Sequence, residues 1–168
     1  MLKNNINKEW TLFLDRDGVI NKKIDGDYVK NVEEFEFLPN AIDTIVECSK
    51  VFGKIIVVTN QQGIGKGIMT NRDLEKVHLH MKQKIEEKGG KIDAIYYAPE
   101  LAIKNSLLRK PNIGMALQAK KDFPKINFNK SIMVGDSASD VEFGKNAGMI
   151  PFLICEKLPS LYDWFQQL

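Results

Sequence analysis

Five short apolar runs, separated by amphipathic stretches, narrow the folds open to this chain more than any other feature. The runs occupy residues 11–14, 54–59, 92–97, 131–134 and 150–154. Each is almost continuously apolar rather than alternating, as expected of strands buried on both faces. Between them, apolar residues recur at helical spacing. Pro39 opens a segment with Ile42, Ile45 and Val46 on one side. Thr70 stands where an N-cap belongs, ahead of Leu74, Val77, Met81 and Ile85, and Gly89-Gly90 closes that segment. Pro111 starts a further helix carrying Ile113, Ala116 and Leu117, Ser137 can cap the next, and Leu161, Trp164 and Phe165 mark a short last one. Strand–helix alternation of this kind predicts an α/β fold: a Rossmann-like, three-layer α/β/α sandwich around a parallel five-stranded central sheet, with right-handed crossovers.

The 168 residues fit a single domain spanning 1–168, with no internal repeat, low-complexity tract or long linker to divide it. Lysine and arginine number 24 against 22 acidic side chains, a balance that gives no electrostatic reason for a nucleic-acid or anionic-membrane partner. No apolar stretch is long enough to span a bilayer. The start, Met1-Leu2-Lys3-Asn4-Asn5, lacks the apolar centre of a signal peptide. A soluble, cytoplasmic monomer is expected. Cys48 and Cys155 lack metal-type spacing and sit in apolar periodic segments, so both are expected in the core.

In parallel sheets, ligands bind beyond the carboxyl ends of the strands, and the polar residues of this chain collect there. Asp15-Arg16-Asp17-Gly18 follows the first run. Along an extended chain Asp15 and Asp17 share a side and Arg16 faces the other, and Gly18 allows a sharp turn. Two carboxylates at the end of a buried strand repel each other unless a cation or proton lies between them. Thr59 and Asn60 follow the second run, Arg109 and Lys110 follow the third, and Asp136 and Asp140 follow the fourth. If the sheet is parallel, the four groups converge on carboxylates, a hydroxyl and two cations. That set suits phosphoryl transfer, where catalysis is mostly positioning and charge neutralisation. Magnesium takes one or two carboxylates, waters and a phosphate oxygen, and Asp15 and Asp136 are the candidate carboxylates.

Other signals carry less. Gly63-Ile64-Gly65-Lys66-Gly67 lacks the spacing of a nucleotide-binding P-loop and reads as a loop whose Lys66 can touch a distal phosphate. His78 and His80 are two apart on a predicted helix and diverge, so they form no metal pair. Both read as structural or solvent-facing.

Taken in order, Asp15-Arg16-Asp17-Gly18-Val19-Ile20-Asn21, Val58-Thr59-Asn60-Gln61, Arg109-Lys110-Pro111 and Gly135-Asp136-Ser137-Ala138-Ser139-Asp140 resemble the four motifs of the haloacid dehalogenase superfamily. The chain is most similar to its heptose-bisphosphate and histidinol-phosphate phosphatases. Phe35-Glu36-Phe37-Leu38-Pro39, Gln61-Gln62-Gly63-Ile64, Tyr96-Tyr97-Ala98-Pro99 and Gly114-Met115 add to the likeness. The resemblance implies a capless fold of that superfamily and a Mg2+-dependent phosphomonoester hydrolase working through an aspartyl phosphate. Asp15 would be the nucleophile and Asp17 the acid and base. Thr59 and Lys110 would stabilise the transferring phosphoryl group. Asp15, the main-chain carbonyl of Asp17, and Asp136 would hold the metal, with Asp140 in support. Asn60, Gln61, Gln62, Arg109 and Tyr28 would contact a small phosphorylated metabolite. Heptose 1,7-bisphosphate, cleaved at the 7-phosphate, is the first expectation, and histidinol phosphate or another small sugar phosphate the second. A catalytically idle phospho-ligand binder or a receiver-like module is the alternative of another class. A receiver, however, carries its phosphorylated Asp after the third strand, where this chain has none. Such phosphatases usually carry a zinc loop before the Arg-Lys-Pro motif. Residues 98–108 contain neither Cys nor His, so no structural zinc is expected.

Overall fold

A computed structural model describes residues 5–168. The polar start read above lies, in its first four residues, outside the described residues. The elements alternate along the chain: β1 (Thr11–Leu14), α1 (Ala41–Val51), β2 (Lys54–Asn60), α2 (Asn71–Glu87), β3 (Ala94–Ala98), α3 (Gly114–Asp122), β4 (Ser131–Gly135), α4 (Ala138–Ala147), β5 (Ile150–Leu153) and α5 (Leu161–Gln167). The strands form one parallel sheet in the order β3-β2-β1-β4-β5.

The alternating orientation of strand side chains divides the core between the two faces of this sheet. Leu12, Leu14, Ile55, Val57, Ile132 and Val134 point to one face and pack with Ile45 and Cys48 of α1, Val77, Met81 and Ile85 of α2, and Leu161 and Trp164 of α5. Phe13, Ile56, Val58 and Met133 point to the other, against Met115, Ala116 and Ala119 of α3 and Phe143 of α4. β1 is therefore buried on both faces and flanked on both edges, and its last residue delivers Asp15 to the middle of the carboxyl-terminal rim.

Several boundaries shift from those read in the sequence. The helix expected from Pro111 begins at Gly114. Residues 109–113 are spent on a turn, in which Asn112 N–H donates to Arg109 O and Gly114 N–H to Leu107 O. Thr70 does cap α2, accepting from Asp73 N–H while Asp73 accepts from Thr70 N–H. Cys48 is buried as expected, but Cys155 is exposed. Beyond β5 the chain leaves the sheet in a tight turn where Cys155 and Leu158 bond each other reciprocally; Ile154 and Leu158 pack on the core from this turn while Cys155 is left exposed. Among the described residues, no helix is long and apolar enough to cross a membrane.

Candidate active site

The ends of β1, β2 and β4 and the turn before α3 meet around one cavity of about 400 Å³. Asp15, Asp17, Asn60, Arg109, Lys110, Asp136 and Asp140 all line it, together with Gln62, Lys66, Tyr28 and Lys23. Thr59 and Gln61 do not. Both are fully buried beneath its floor.

Lys110 is the hub of that floor. Its buried ammonium donates to Asp15 Oδ1 (2.8 Å), Asp140 Oδ1 (2.6 Å) and Val58 O (2.8 Å). Burial opposes its charge, but Asp15 and Asp140 outweigh burial and raise its pKa. Asn60 pins the main chain of Lys110, accepting from its N–H (3.0 Å) and donating to its carbonyl (3.2 Å). Asn60, expected to touch substrate, thus has its amide engaged in holding Lys110. Asp140 is equally committed. Its second oxygen accepts from Asp136 N–H, Ser137 N–H and Ser137 Oγ (3.1, 3.1 and 2.7 Å), closing the first turn of α4. Gly135 permits this fold-back, because a Cβ there would lie 2.1 Å from that of Asp140.

One ligand atom each of Asp15, Asp136 and Asp140 falls within 4.8 Å of the others. Both oxygens of Asp140 already accept from donors, whereas Asp15 and Asp136 each keep one oxygen with no donor among the described residues to take a cation. Asp136 leans on Gly18, which has φ +85° and no room for a side chain: a Cβ would come within 2.1 Å of Asp136 Oδ2. Burial pushes the Asp15 carboxyl up to about 7. The charge of Lys110 pulls the other way, and that of Asp140 adds to the rise. One buried ammonium thus serves Asp15 and Asp140 together, with Asp136 close by, and this all-oxygen acidic donor set fits a hard divalent ion.

Sequence reasoning missed one neighbour. Lys23, from the loop after β1, reaches Asp136 Oδ2 at 3.3 Å. Burial disfavours its charge, yet Asp136, Asp15 and Asp17 raise its pKa. The ion pair spans 113 positions of the chain, and no local pattern could announce it.

Asp17 is held as a carboxylate. Oδ1 accepts from Arg16 Nη2 (2.8 Å) and Asn21 Nδ2 (2.9 Å), and Oδ2 accepts from Gln61 Nε2 (2.8 Å). Burial alone would raise its pKa, but the Arg16 charge and these bonds bring it below the ordinary value. The Gln61 amide also donates to Thr59 Oγ1 (2.9 Å), so the Thr59 hydroxyl keeps its own proton to donate elsewhere. Gln61, expected to touch substrate, instead links Asp17 to Thr59. Arg16, expected to face away from the acids, curls back to pair with Asp17.

The rim is built differently. Lys66 sits over the Tyr28 ring, 5.2 Å from its centroid. Gly63 packs so closely on that ring that a Cβ would lie 3.0 Å from Tyr28 Cγ. Gln62 Oε1 accepts from Ala102 N–H (3.2 Å) and Gly65 N–H donates to Pro99 O (2.9 Å), tying the loop after β2 to the stretch after β3. Arg109 lines the cavity, and its buried Nη1 has no hydrogen-bond partner among the described residues.

Residues 11–156 match the family described as polynucleotide kinase 3 phosphatase. The chain belongs to this family of haloacid dehalogenase-like phosphatases. It is 38% identical over 146 residues to D-glycero-alpha-D-manno-heptose-1,7-bisphosphate 7-phosphatase of Mycobacterium bovis, covering 87% of this chain and 77% of that protein. It is 35% identical over 164 residues to D-glycero-beta-D-manno-heptose-1,7-bisphosphate 7-phosphatase of Helicobacter pylori, covering 96% and 93%. Among solved structures it is similar to D,D-heptose 1,7-bisphosphate phosphatase from B. bronchiseptica complexed with magnesium and phosphate. The TM-score is 0.78 and the identity 28%, over 86% of this chain and 79% of that one. The family's fold is the parallel five-stranded sandwich described above, and its members' activity makes this chain a phosphatase.

Proposed function

We propose that this phosphatase hydrolyses a phosphomonoester in two displacements, with Asp15 as nucleophile and Asp17 as acid and then base. The observation that carries this reading is the convergence of Asp15, Asp140 and Lys110 within 2.8 Å contacts, from strand ends far apart in the chain. Asp15 attacks phosphorus, forming an aspartyl phosphate as the substrate oxygen departs. Water then attacks that phosphorus and releases phosphate, so one hard step becomes two easier ones. Thr59 donates its hydroxyl proton to a phosphoryl oxygen, and Lys110 neutralises charge on the group in flight. Asp17 gives a proton to the leaving alkoxide and then takes one from the attacking water, a contribution of about 10²–10⁴-fold. To act as an acid it first takes up a proton and relaxes its hold on Arg16, Asn21 and Gln61.

Asp15, Asp136 and the main-chain carbonyl of Asp17 would hold Mg2+, with Asp140 bracing them. When bound, the ion offsets repulsion between the Asp15 carboxylate and an anionic phosphate. The relatives named above act on heptose 1,7-bisphosphates, and we extend that substrate, cleaved at the 7-phosphate, to this chain. A bisphosphate needs a second anion contact, which Arg109 and Lys66 on the cavity wall can supply. We also place the enzyme in the cytoplasm as a single-domain monomer acting on a small phosphorylated metabolite.

The test is to incubate purified protein and Mg2+ with both anomers of heptose 1,7-bisphosphate and with histidinol phosphate. The expected result is release of one phosphate per bisphosphate, leaving the 1-phosphate, and loss of turnover with chelator. Release from histidinol phosphate alone would overturn the substrate. Turnover unaffected by chelator would overturn the metal.

A further inference from the structure

Arg16 stands between the two motif acids, yet the proposed chemistry gives it nothing to do. It is wholly buried. A buried guanidinium is costly unless it is paired and its donors are met. Its Nη2 donates to Asp17 Oδ1 at 2.8 Å, and its Nη1 lies 3.1 Å from His78 Nε2 on α2. Guanidinium nitrogens only donate, so His78 must offer a lone pair at Nε2 and carry its proton on Nδ1. Its surroundings enforce that form. Burial, and then the Arg16 charge, bring its pKa down to about 3, against the weaker opposing pull of Asp17. The Tyr97 ring packs against the imidazole edge-on at 6.1 Å.

The other two donors to Asp17 have their own anchors. Asn21 also bonds Lys22 O, and Gln61 also bonds Thr59. Arg16 is different. Among the described residues its side chain has two hydrogen-bond partners, Asp17 and His78, and Nε has none. The imidazole is therefore what holds the guanidinium from the side away from the acid. We propose that His78 is a positioning residue for the phosphatase reaction: it fixes Arg16 from α2, and Arg16 in turn fixes the carboxylate of Asp17. The proposal deepens the functional reading above and rests on Asp17 being the acid–base group. His78 itself touches neither substrate nor metal.

The experiment compares kcat and KM for heptose 1,7-bisphosphate in the full chain with those of His78→Leu, His78→Gln, Asp17→Asn and the His78→Leu/Asp17→Asn double variant. Each is corrected for the folded fraction seen by circular dichroism. His78→Leu removes the acceptor and should lower kcat about tenfold with KM held within about twofold, the signature of a lost transition-state arrangement. His78→Gln can present an amide oxygen to Arg16 and should stay within about threefold of the parent kcat. In the Asp17→Asn background, His78→Leu should cost nothing further, because the group it positions is gone. If His78→Leu does not fold, His78→Asn, whose amide is too short to reach, replaces it with the same expectation. A folded His78→Leu enzyme with parental kcat, or an equal loss in both backgrounds, would overturn the positioning role alone. Parental turnover in Asp17→Asn would instead remove the acid–base reading beneath it.

Discussion

The floor and the rim of the cavity are built on opposite plans. On the floor, Asp15, Asp17, Lys110 and Asp140 all have named partners at 2.6–3.1 Å, and the geometry is over-determined. On the rim, Lys66 rests on a ring face and Arg109 keeps a buried nitrogen without a partner. Rigid charge placement suits a reaction whose barrier falls through preorganised electrostatics. Unspent donors suit recognition of whatever anion the rest of a substrate carries. On the proposed mechanism, phosphate chemistry is invested in the strand ends and substrate choice in the loops above them.

Removing the hub should break the floor most severely. Lys110→Met leaves Asp15 and Asp140 without their shared cation, and kcat should fall by at least about 10³-fold. Unfolding by urea should show a loss of about 3–5 kcal/mol, since one partner of a buried ion pair has gone.

A second comparison sets the floor against itself at different pH. The Asp15 carboxyl is raised to about 7 in the fold, against about 4 in an unfolded chain. Between those values the folded state holds a proton that the unfolded state has released. Stability from this group is therefore complete below about pH 4 and is lost as pH climbs through 7. Mg2+ takes the ionised form, so its rise in melting temperature should be larger at pH 8 than at pH 5. In Asp15→Asn that difference should flatten. Equal shifts at both pH values in the parent would contradict the raised Asp15 carboxyl.

The rim should respond in binding rather than turnover. Arg109→Ala is expected to raise KM for a bisphosphate about tenfold and leave kcat within about twofold. A monophosphate lacking the second anion should bind the parent and the variant alike. Smallest of all, Thr70→Ala removes the cap of α2 well away from the floor. It should cost about 1 kcal/mol in thermal or urea unfolding and leave kcat unchanged.

Much of the floor was legible in the sequence because each contributor follows an apolar run, and a parallel sheet forces such ends together. Asp15, Asp136 and Lys110 were found that way. The place of Gln61 was not, for the resemblance set it against substrate, while its amide turns under the floor to Asp17 and Thr59. Asn60 turned out to serve Lys110 through paired main-chain bonds, a role with no local signature. Lys23 and His78 were illegible for a similar reason. Their partners lie 113 and 62 positions away, at Asp136 and Arg16, and only the folded sheet makes them neighbours. The late start of α3 follows from the turn that aims Lys110, a demand the Arg-Lys-Pro triplet does not express by periodicity.

The strand order β3-β2-β1-β4-β5 has a consequence for a chain still emerging from the ribosome. Its first half can pair β1 with β2 and bury Leu14 against Val57, yet that half owns neither the ammonium at 110 nor the carboxylates at 136 and 140. On the proposed mechanism catalysis must await nearly the whole polypeptide, so an unfinished molecule should be inert rather than sluggish, and turnover doubles as a census of completed folds.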